Sequence, residues 1–550
     1  MTHFTTRVIA ILLVMILVVL AVPMLAFGSD DRADEAAPIA AQILANAVIR
    51  KQAILNSEAD ITDTGTAYYV ANHGNDKNSG KSPEKPWATL SRVNKAKARG
   101  TLKPGDAVFL NRGGLWRGYI DCAQGVAYSA YGTGEKPKIY GSSENGADPK
   151  NWKLWHDKNG VKIWKFYRSI TEVGNIVFDD GASYATRIYA YYNGEKWVAS
   201  SNDQNTFDIV KELKHDLTFY STFELSKRQF NRYLVEGWGG TWTNLMDTAG
   251  QLYLRCDTGN PGDLYAEIEF HTTPKGLMGY VGLVDPVGDN IIDNLCIKYS
   301  LCNGIAIYGD KYDSTVNTNN IIQNCEIAWC GGTQHELNRA DGDVMVCGED
   351  VVFKTSGNTF RNNYIHQAAC AGIVSEFVDD EWIAGSTICA YTLIVGNLME
   401  RCGGTLWFWS NNYPGDDIAF WDGVRIVDNY VMYMGDGWSH DPRFTYPANR
   451  LNTYHSAEEP SSFTFNINTS RNGVRNMRIS DNVFYISYNG WLVGVAGDVS
   501  TFDIVFSGNT YVQTQGDSFV GEGWGREMGQ VVWDINNTLG DKTAIIDQLP

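Results

Sequence analysis

The sequence predicts an all-β solenoid, a parallel β-helix, and three observations predict it. Asn recurs at Asn294, Asn324, Asn363, Asn397, Asn429, Asn482 and Asn509, at intervals of 30, 39, 34, 32, 53 and 27 residues. Such a period marks stacked repeats. A Gly follows each Asn after seven to ten residues, at Gly304, Gly332, Gly372, Gly404, Gly437, Gly490 and Gly516. The segments between them, such as IAIYG, DVMVCG, GIVSEF, GTLWFW and RIVDN, alternate or run apolar for four to six residues. They lack the i, i+3, i+4 spacing of helices. Each repeat therefore reads as a coil of short strands lying parallel to the next. Asn suits the corner because it tolerates left-handed backbone angles, and its amide can bond the Asn above and below in a ladder. A β-sandwich with Asn-Gly turns would not keep the Asn-to-Gly offset within so narrow a range.

Residues 1–28 form a signal peptide or membrane anchor. Val8 to Phe27 is almost wholly apolar, Arg7 precedes it, and Ala26-x-Gly28 fits a small-residue cleavage site. The run is also just long enough to span a bilayer. A cleaved leader is preferred to a membrane tether through residues 8–28, and either implies a secreted or extracellular chain. Residues 29–65 are Ala-rich and acidic and read as a linker or short helix.

Residues 66–142 open the solenoid. Thr89 to Arg99 has the spacing of a short amphipathic helix that covers the open end, where unpaired strand edges would otherwise face water. Lys103-Pro104-Gly105-Asp106 turns into a first strand, Ala107 to Leu110. The run from Tyr68 to Gly118, YYVANHGNDKNSGKSPEKPWATLSRVNKAKARGTLKPGDAVFLNRGGLWRG, resembles the opening of bacterial right-handed parallel β-helix proteins of the pectate-lyase-like superfamily. From about Ser143 to Gly276 the repeat vanishes into aromatic, strand-like sequence. This resembles the β-rich domain inserted into β-helix glycoside hydrolases of the β-xylosidase and fucosidase kind. The resemblance implies an inserted domain over residues 143–280 that leans over a cleft. Residues 281–550 are then the main β-helix with the active face.

The 550-residue chain carries a net charge of −18. This excludes nucleic acid as a partner, since phosphate binding needs a basic stripe. It also weighs, less heavily, against unaided binding of polyanions. Nothing in the sequence calls for more than a monomer. The ten cysteines show no C-x-x-C spacing for zinc. Cys302, Cys330, Cys370 and Cys402 recur at one place in the repeat, so they are expected to stack inside as small hydrophobes.

Alternation in the main repeats places the candidate site. In GIAIYG, Ile305 and Ile307 point in and Tyr308 points out; in GIVSEF, Glu376 points out. In DVMVCG, Val344 and Val346 are read as inward and Asp343 as outward. GTLWFWS adds Trp407 and Trp409, at least one of them outward. Two insertions flank this face: Thr333 to Ala340, with His335 and Asp341 beside it, and the long segment after Gly437, with His440 and Arg443. Glu376, Asp343 and Asp341 are the candidate catalytic carboxylates. Tyr308, Trp407, Trp409, His335, His440 and Arg443 are the candidate sugar-binding groups.

Two carboxylates and aromatic rings on one wall suit glycoside hydrolysis, where one acid protonates the leaving oxygen and the other acts as nucleophile or base. The expectation is an exported hydrolase of plant cell-wall-type glycans, acting on a polysaccharide or oligosaccharide without a cofactor. A polysaccharide lyase is the first alternative. It would need a cationic base, with Ca²⁺ or Arg to neutralise a uronate; Asp379 and Asp380 are weak candidate oxygen ligands. A non-catalytic surface glycan-binding protein is the second.

Overall fold

The computed structural model describes residues 31–546 except 62–63, 171–172, 189, 193–196, 200–201, 222–249, 273–281, 309–317, 336–338, 342–344, 350–354, 370, 378–387, 405, 411–419, 439–461, 470–472, 488–489, 497–502, 515–519 and 523–542. The chain winds into a right-handed parallel β-helix. One coil shows the plan: Ile291–Asp293 belongs to a first sheet, Cys296–Lys298 to a second and Ile305–Tyr308 to a third. The first and second sheets each have ten strands and the third has nine. Within each, every strand pairs in parallel with the coil before and after. A short four-stranded sheet runs between the third and the first.

Parallel stacking puts like beside like. Ile292, Ile322, Phe360, Ile394, Ile426 and Ile479 form one buried column of the first sheet, and Ile297, Ile327, Ile365, Met399, Val431 and Phe484 form one of the second. Each such side chain contributes ~1.5–3 kcal/mol of hydrophobic stabilisation.

The corner between the first and second sheets holds an amide ladder, but it differs from the single Asn column expected from the sequence. Asn363, Asn397, Asn429, Asn482 and Asn509 are buried and form the ladder. The N–H and Nδ2 of Asn397 both donate to Asn429 Oδ1, at 3.0 and 2.9 Å, and Asn429 repeats this onto Asn482. These five are not at positive φ. The residue before each takes the left-handed turn: Asn362, Gly396, Asp428, Asp481 and Gly508. Asn294 and Asn324 belong to that turn column instead, at φ 61° and 55°, and Leu295 and Cys325 occupy their ladder positions. Two distinct uses of Asn were thus merged in the sequence pattern. A second, unforeseen ladder lies at the entry to the first sheet, where Asn290, Asn320 and Asn358 bond in succession.

The cysteine column is also narrower than expected. Cys330 and Cys402 share one interior column through Ala368. Cys302 stands two residues beyond Ser300, the residue that accepts from the next coil, and Cys370 lies outside the described residues. Cys122, Cys256, Cys296, Cys302, Cys325, Cys330 and Cys402 are buried and free of disulfides.

Both ends of the coil stack are tied. The capping helix Leu90–Ala98 starts at Thr89, whose side chain accepts from Arg92 N–H, and its Leu90, Val93 and Ala96 join the main core. The outer edge of strand Ala67–Val70 is covered: Tyr69 N–H donates to Gly80 O and its carbonyl accepts from Trp87 N–H. Residues 29–65 hold more than a short linker. The helix Asp31–Leu55 is 25 residues long and lies along the outside of the second sheet. Its Ala40, Ile43, Ala47 and Ile54 pack on Tyr364, Leu398, Tyr430 and Tyr485. Lys51 bonds the Tyr364 hydroxyl at 2.6 Å, and Arg50 lies 4.5 Å from the Tyr430 ring. No described helix is long and apolar enough to cross a membrane, and residues 8–28 lie outside the described residues.

The inserted domain is a seven-stranded, mainly antiparallel sheet from Trp152–Lys158 to Ile268–Phe270, with its own core of Trp152, Phe166, Phe178, Phe219, Leu254 and Phe270. It leaves the solenoid after Lys138–Tyr140 of the second sheet and returns before Val284–Asp285 of the third.

Candidate active site

The third sheet carries the candidate site, and its register fixes which residues align. Ile305, Met345, Ile373 and Leu406 form one row; Ile307, Cys347, Ser375 and Phe408 form another. Ile305, Ile307, Ile373, Leu406 and Phe408 belong to the main core, so these rows face inward. The expected inward parity of Val346 is therefore overturned, and Val344 lies outside the described residues. Val346 lies in the opposite row with Ala306, Val374 and Trp407, because it is Met345 that pairs with Ile305 and Ile373. Asp343 lies outside the described residues.

Beyond that row, Tyr308 is paired with Glu349 and Glu376 with Trp409. The four stand on consecutive coils, Ile305–Tyr308, Met345–Glu349, Ile373–Phe377 and Leu406–Ser410. A register shift after Ile307 brings Glu349 rather than Gly348 opposite Tyr308. Glu349 follows the DVMVCG run directly, and it is this register shift, which the sequence does not show, that sets it opposite Tyr308 and one coil from Glu376. The strand of Glu376 is held from inside, since Trp421 Nε1 donates to the buried Ser375 hydroxyl at 2.9 Å.

His335 and Asp341 sit off this sheet, in a small antiparallel hairpin where His335 pairs with Arg339 and Asp341 with Thr333. His440, Arg443, Asp379 and Asp380 lie outside the described residues. Among the described residues, no group of three His, Cys, Asp or Glu is placed to hold a metal.

The hairpin, the inserted domain and the long segment after Trp438 all leave the coil at the corner between the second and third sheets. The resemblance implied a domain leaning over the cleft. Its described contacts are with the outer face of the second sheet and with this corner. Arg117 grips the almost fully buried Glu269 through two bonds of 2.7 Å. His271 Nδ1 bonds Gly331 O at 3.0 Å, and burial holds its imidazole down to about 3, so it is neutral. Its ring meets Trp438 edge-on at 5.3 Å, and Trp438 Nε1 donates to Gln367 O. The root of the long segment is thereby fixed against the inserted domain.

Lys298 makes a further tie, with Nζ 3.1 Å from Asp180 of the inserted domain and 2.8 Å from Glu326. Burial alone would lift the Glu326 carboxyl, but Lys298 and then His366 outweigh it and hold it well below the usual carboxylate range.

A second carboxylate pair, missed in the sequence, stands at the N-terminal end of the same sheet. Asp121 and Asp285 are paired in register on adjacent coils, roughly 4.8 Å apart along the hydrogen-bonding direction. Burial pushes the Asp285 carboxyl well above its usual range, with Gly282 N–H and Lys97 pulling against it and Asp121 adding to it. Lys97 is ion-paired to Asp121, and with Tyr119 and Asn94 this carboxylate lines an open cavity of about 770 Å³. Strands of two residues are too short to be read from alternation, which is why this pair escaped notice.

The architecture defines the class, a right-handed parallel β-helix with an inserted β domain. No family model matches the chain. A lacto-N-biosidase of Bifidobacterium longum subsp. longum is 35% identical over 103 residues, which span 17% of this chain and 6% of that protein. Among solved structures, XylC in complex with xylose aligns at TM-score 0.34 and 13% identity, over 88% of this chain and 86% of that one. A GH136 lacto-N-biosidase from Eubacterium ramulus aligns at TM-score 0.36 and 12% identity, over 88% and 68%. An alginate lyase from Paenibacillus sp. aligns at TM-score 0.31 and 11% identity, over 84% and 96%.

Proposed function

We propose that this chain is a glycoside hydrolase that cleaves a plant cell-wall-type polysaccharide or oligosaccharide with two carboxylates on the third sheet. The observation that carries the reading is the register that sets Tyr308 beside Glu349 and Glu376 beside Trp409 on four consecutive coils. Parallel coils repeat every ~4.8 Å, so acids on neighbouring coils come within the range of a catalytic pair. Glu376 is assigned to one role and Glu349 to the other: one protonates the glycosidic oxygen, and the other attacks the anomeric carbon or activates water. A separation near 5 Å would retain configuration and one of roughly 6.5–9.5 Å would invert it. Tyr308, Trp407 and Trp409 supply the surface for the sugar rings. Asp341 and His335, on the hairpin at the corner, and His440 and Arg443, in the long segment, are assigned to contacts at the rim. Asp343 stays a candidate acid in the connection between them. The lacto-N-biosidase match supports a glycan substrate. Export through residues 8–28 and action as a monomer complete the reading; the N-terminal residue of the mature protein and its mass in solution test them.

The test is a screen of the purified protein against plant polysaccharides and aryl glycosides, followed by Glu376→Gln. The expected result is new reducing ends in the parent and loss of turnover in the variant, with the melting temperature nearly unchanged. Full activity in Glu376→Gln with none in Asp285→Asn would move the site to the Asp121–Asp285 pair. Products absorbing at short ultraviolet wavelength would replace hydrolysis with β-elimination, with Arg339 or Arg443 as cation and Ca²⁺ at Asp379 and Asp380. Binding without any turnover would leave a glycan-binding protein.

A further inference from the structure

We propose that the outer edge of the inserted domain is a binding surface for an anionic glycan chain, one whose sugars carry uronate carboxylates. The surface is separate from the third sheet. The inserted sheet docks through strands Ile176–Phe178 and Ser183–Arg187, and Trp152–Lys158 is the last strand on its opposite side. Five strand spacings separate Ile176–Phe178 from that edge, roughly 24 Å.

Three observations meet there. The first is an aromatic platform. Strand Trp152–Lys158 pairs with Val161–Phe166, and the register shifts between Leu154 and His156, so Trp155 occupies a bulge. A bulge re-aims a side chain. Trp155 is 45% exposed and meets Tyr253 edge-on at 5.0 Å. Flat rings at such an angle offer an apolar face to the C–H side of a sugar ring.

The second is charge. Residues 149–168 hold six Lys or Arg against one Asp, a net of +5, so the remaining residues carry −23. The objection that an acidic chain repels polyanions does not hold for this edge, because screening confines each charge to its surroundings within about 8 Å at physiological salt.

The third is an unfavourable pairing. Lys153 stands directly opposite Lys165, and Lys165 directly opposite Tyr253, over whose ring its Nζ lies at 5.7 Å. Like charges directly opposite each other on a sheet are destabilising. Neither lysine forms an ion pair among the described residues. Protection of a sheet edge accounts for Lys153 and for the bulge. It does not account for a lysine on the second strand or for an exposed Trp. A carboxylate lying between Lys153 and Lys165, with its ring against Trp155, relieves the repulsion and covers the indole.

The experiment is affinity electrophoresis and titration calorimetry on the full chain bearing Glu376→Gln. The probes are oligogalacturonate of about ten residues, the same oligomer with its carboxyls reduced to alcohols, and dextran sulfate. The expected result is salt-sensitive binding of oligogalacturonate. Trp155→Ala should weaken it, and Lys153→Gln with Lys165→Gln should weaken it, each by about tenfold. Trp155→Ala should keep the parent melting temperature, and the double lysine variant should match or slightly exceed it because the opposed like charges are gone. Equal affinity for the reduced oligomer would overturn the proposal, as would unchanged binding in Trp155→Ala or no oligogalacturonate binding by the parent. Tighter binding of dextran sulfate than of oligogalacturonate would overturn the assignment to uronates. The readout is binding, so a failed hydrolase reading leaves the result intact.

Discussion

Two corners of the same coil have opposite characters. Between the first and second sheets the connection is two residues in every coil from Asn294 and Leu295 to Gly508 and Asn509, and only in the two earlier coils, before the ladder, is it longer, at residues 112–114 and 132–137. Between the second and third it ranges from the two residues 488–489 to the 27 residues 435–461, and it also holds the whole inserted domain. The difference follows from where the corner's polar groups find partners. At the first corner each buried amide is shared with the coils above and below, so an added residue would orphan groups on three coils. At the second corner the described bonds between coils are single backbone bonds, as from Gly331 N–H to Ser300 O and from Gly435 N–H to Cys402 O, and an insertion beyond them leaves these bonds in place. Insertions accumulate at the second corner because the ladder corner cannot yield.

The sharpest way to break this comparison is to remove one rung of the ladder. Asn429 accepts from Asn397 N–H and Nδ2, and it donates to Ile394 O, Val427 O and Asn482 Oδ1. Asn429→Ala leaves the Asn397 N–H and the Ile394 carbonyl buried without these partners. At ~1–3 kcal/mol for each orphaned group the loss is about 4 kcal/mol. Urea unfolding should show a large fall in midpoint. A fall no greater than that of an exposed substitution at the other corner would mean the ladder does not hold the first corner together.

The second corner is held by charge, and Lys298 tests it. Its ammonium is buried between Glu326 and Asp180. Lys298→Met keeps the length of the side chain but leaves Glu326 buried with His366 and the Cys296 thiol and without its ammonium partner. Breaking one partner of a buried pair costs about 3 kcal/mol. Thermal unfolding of the variant should show that loss, and adding Glu326→Gln to Lys298→Met should recover part of it. No recovery in the double variant would mean that Lys298 acts by packing rather than charge.

The coil stack was legible because its period and apolar alternation are repeated many times, so local errors do not change the fold. What could not be read was the phase within a repeat. Asn294 and Asn324 look like Asn363 in the sequence but sit one position earlier, since Asn serves both a left-handed turn and an amide ladder. Val346 looks like a core residue, but its row of the third sheet is itself apolar, with Ala306 and Val374 buried. Alternation therefore gave the wrong parity for this strand, and Glu349 was missed because the register shift that sets it opposite Tyr308 leaves no mark in the sequence. Glu376 and Trp409 fall opposite each other because one unbroken alternation runs through both IVSEF and LWFWS. Asp121 and Asp285 were missed because strands of two residues carry no period at all.

The smallest effect distinguishes the corner's charges by pH. Glu267 lies beside the Arg117–Glu269 pair where the inserted domain rejoins the solenoid. Burial lifts its carboxyl from 4.5 to about 7, and Glu269 and Asp180 add to the lift. A carboxyl raised in the folded state binds a proton there that the unfolded chain has already lost. Between about pH 4.5 and about pH 7 the folded form therefore holds more protons, and stability falls as pH rises through that window. Below it both states are protonated, and above it both are ionised. Glu267→Gln is permanently neutral and removes this contribution. The variant's melting temperature should match the parent's near pH 4 and exceed it at pH 8, with the gap opening through the window. A gap of the same size at both ends would show that Glu267 contributes through shape or hydrogen bonding and not through its proton.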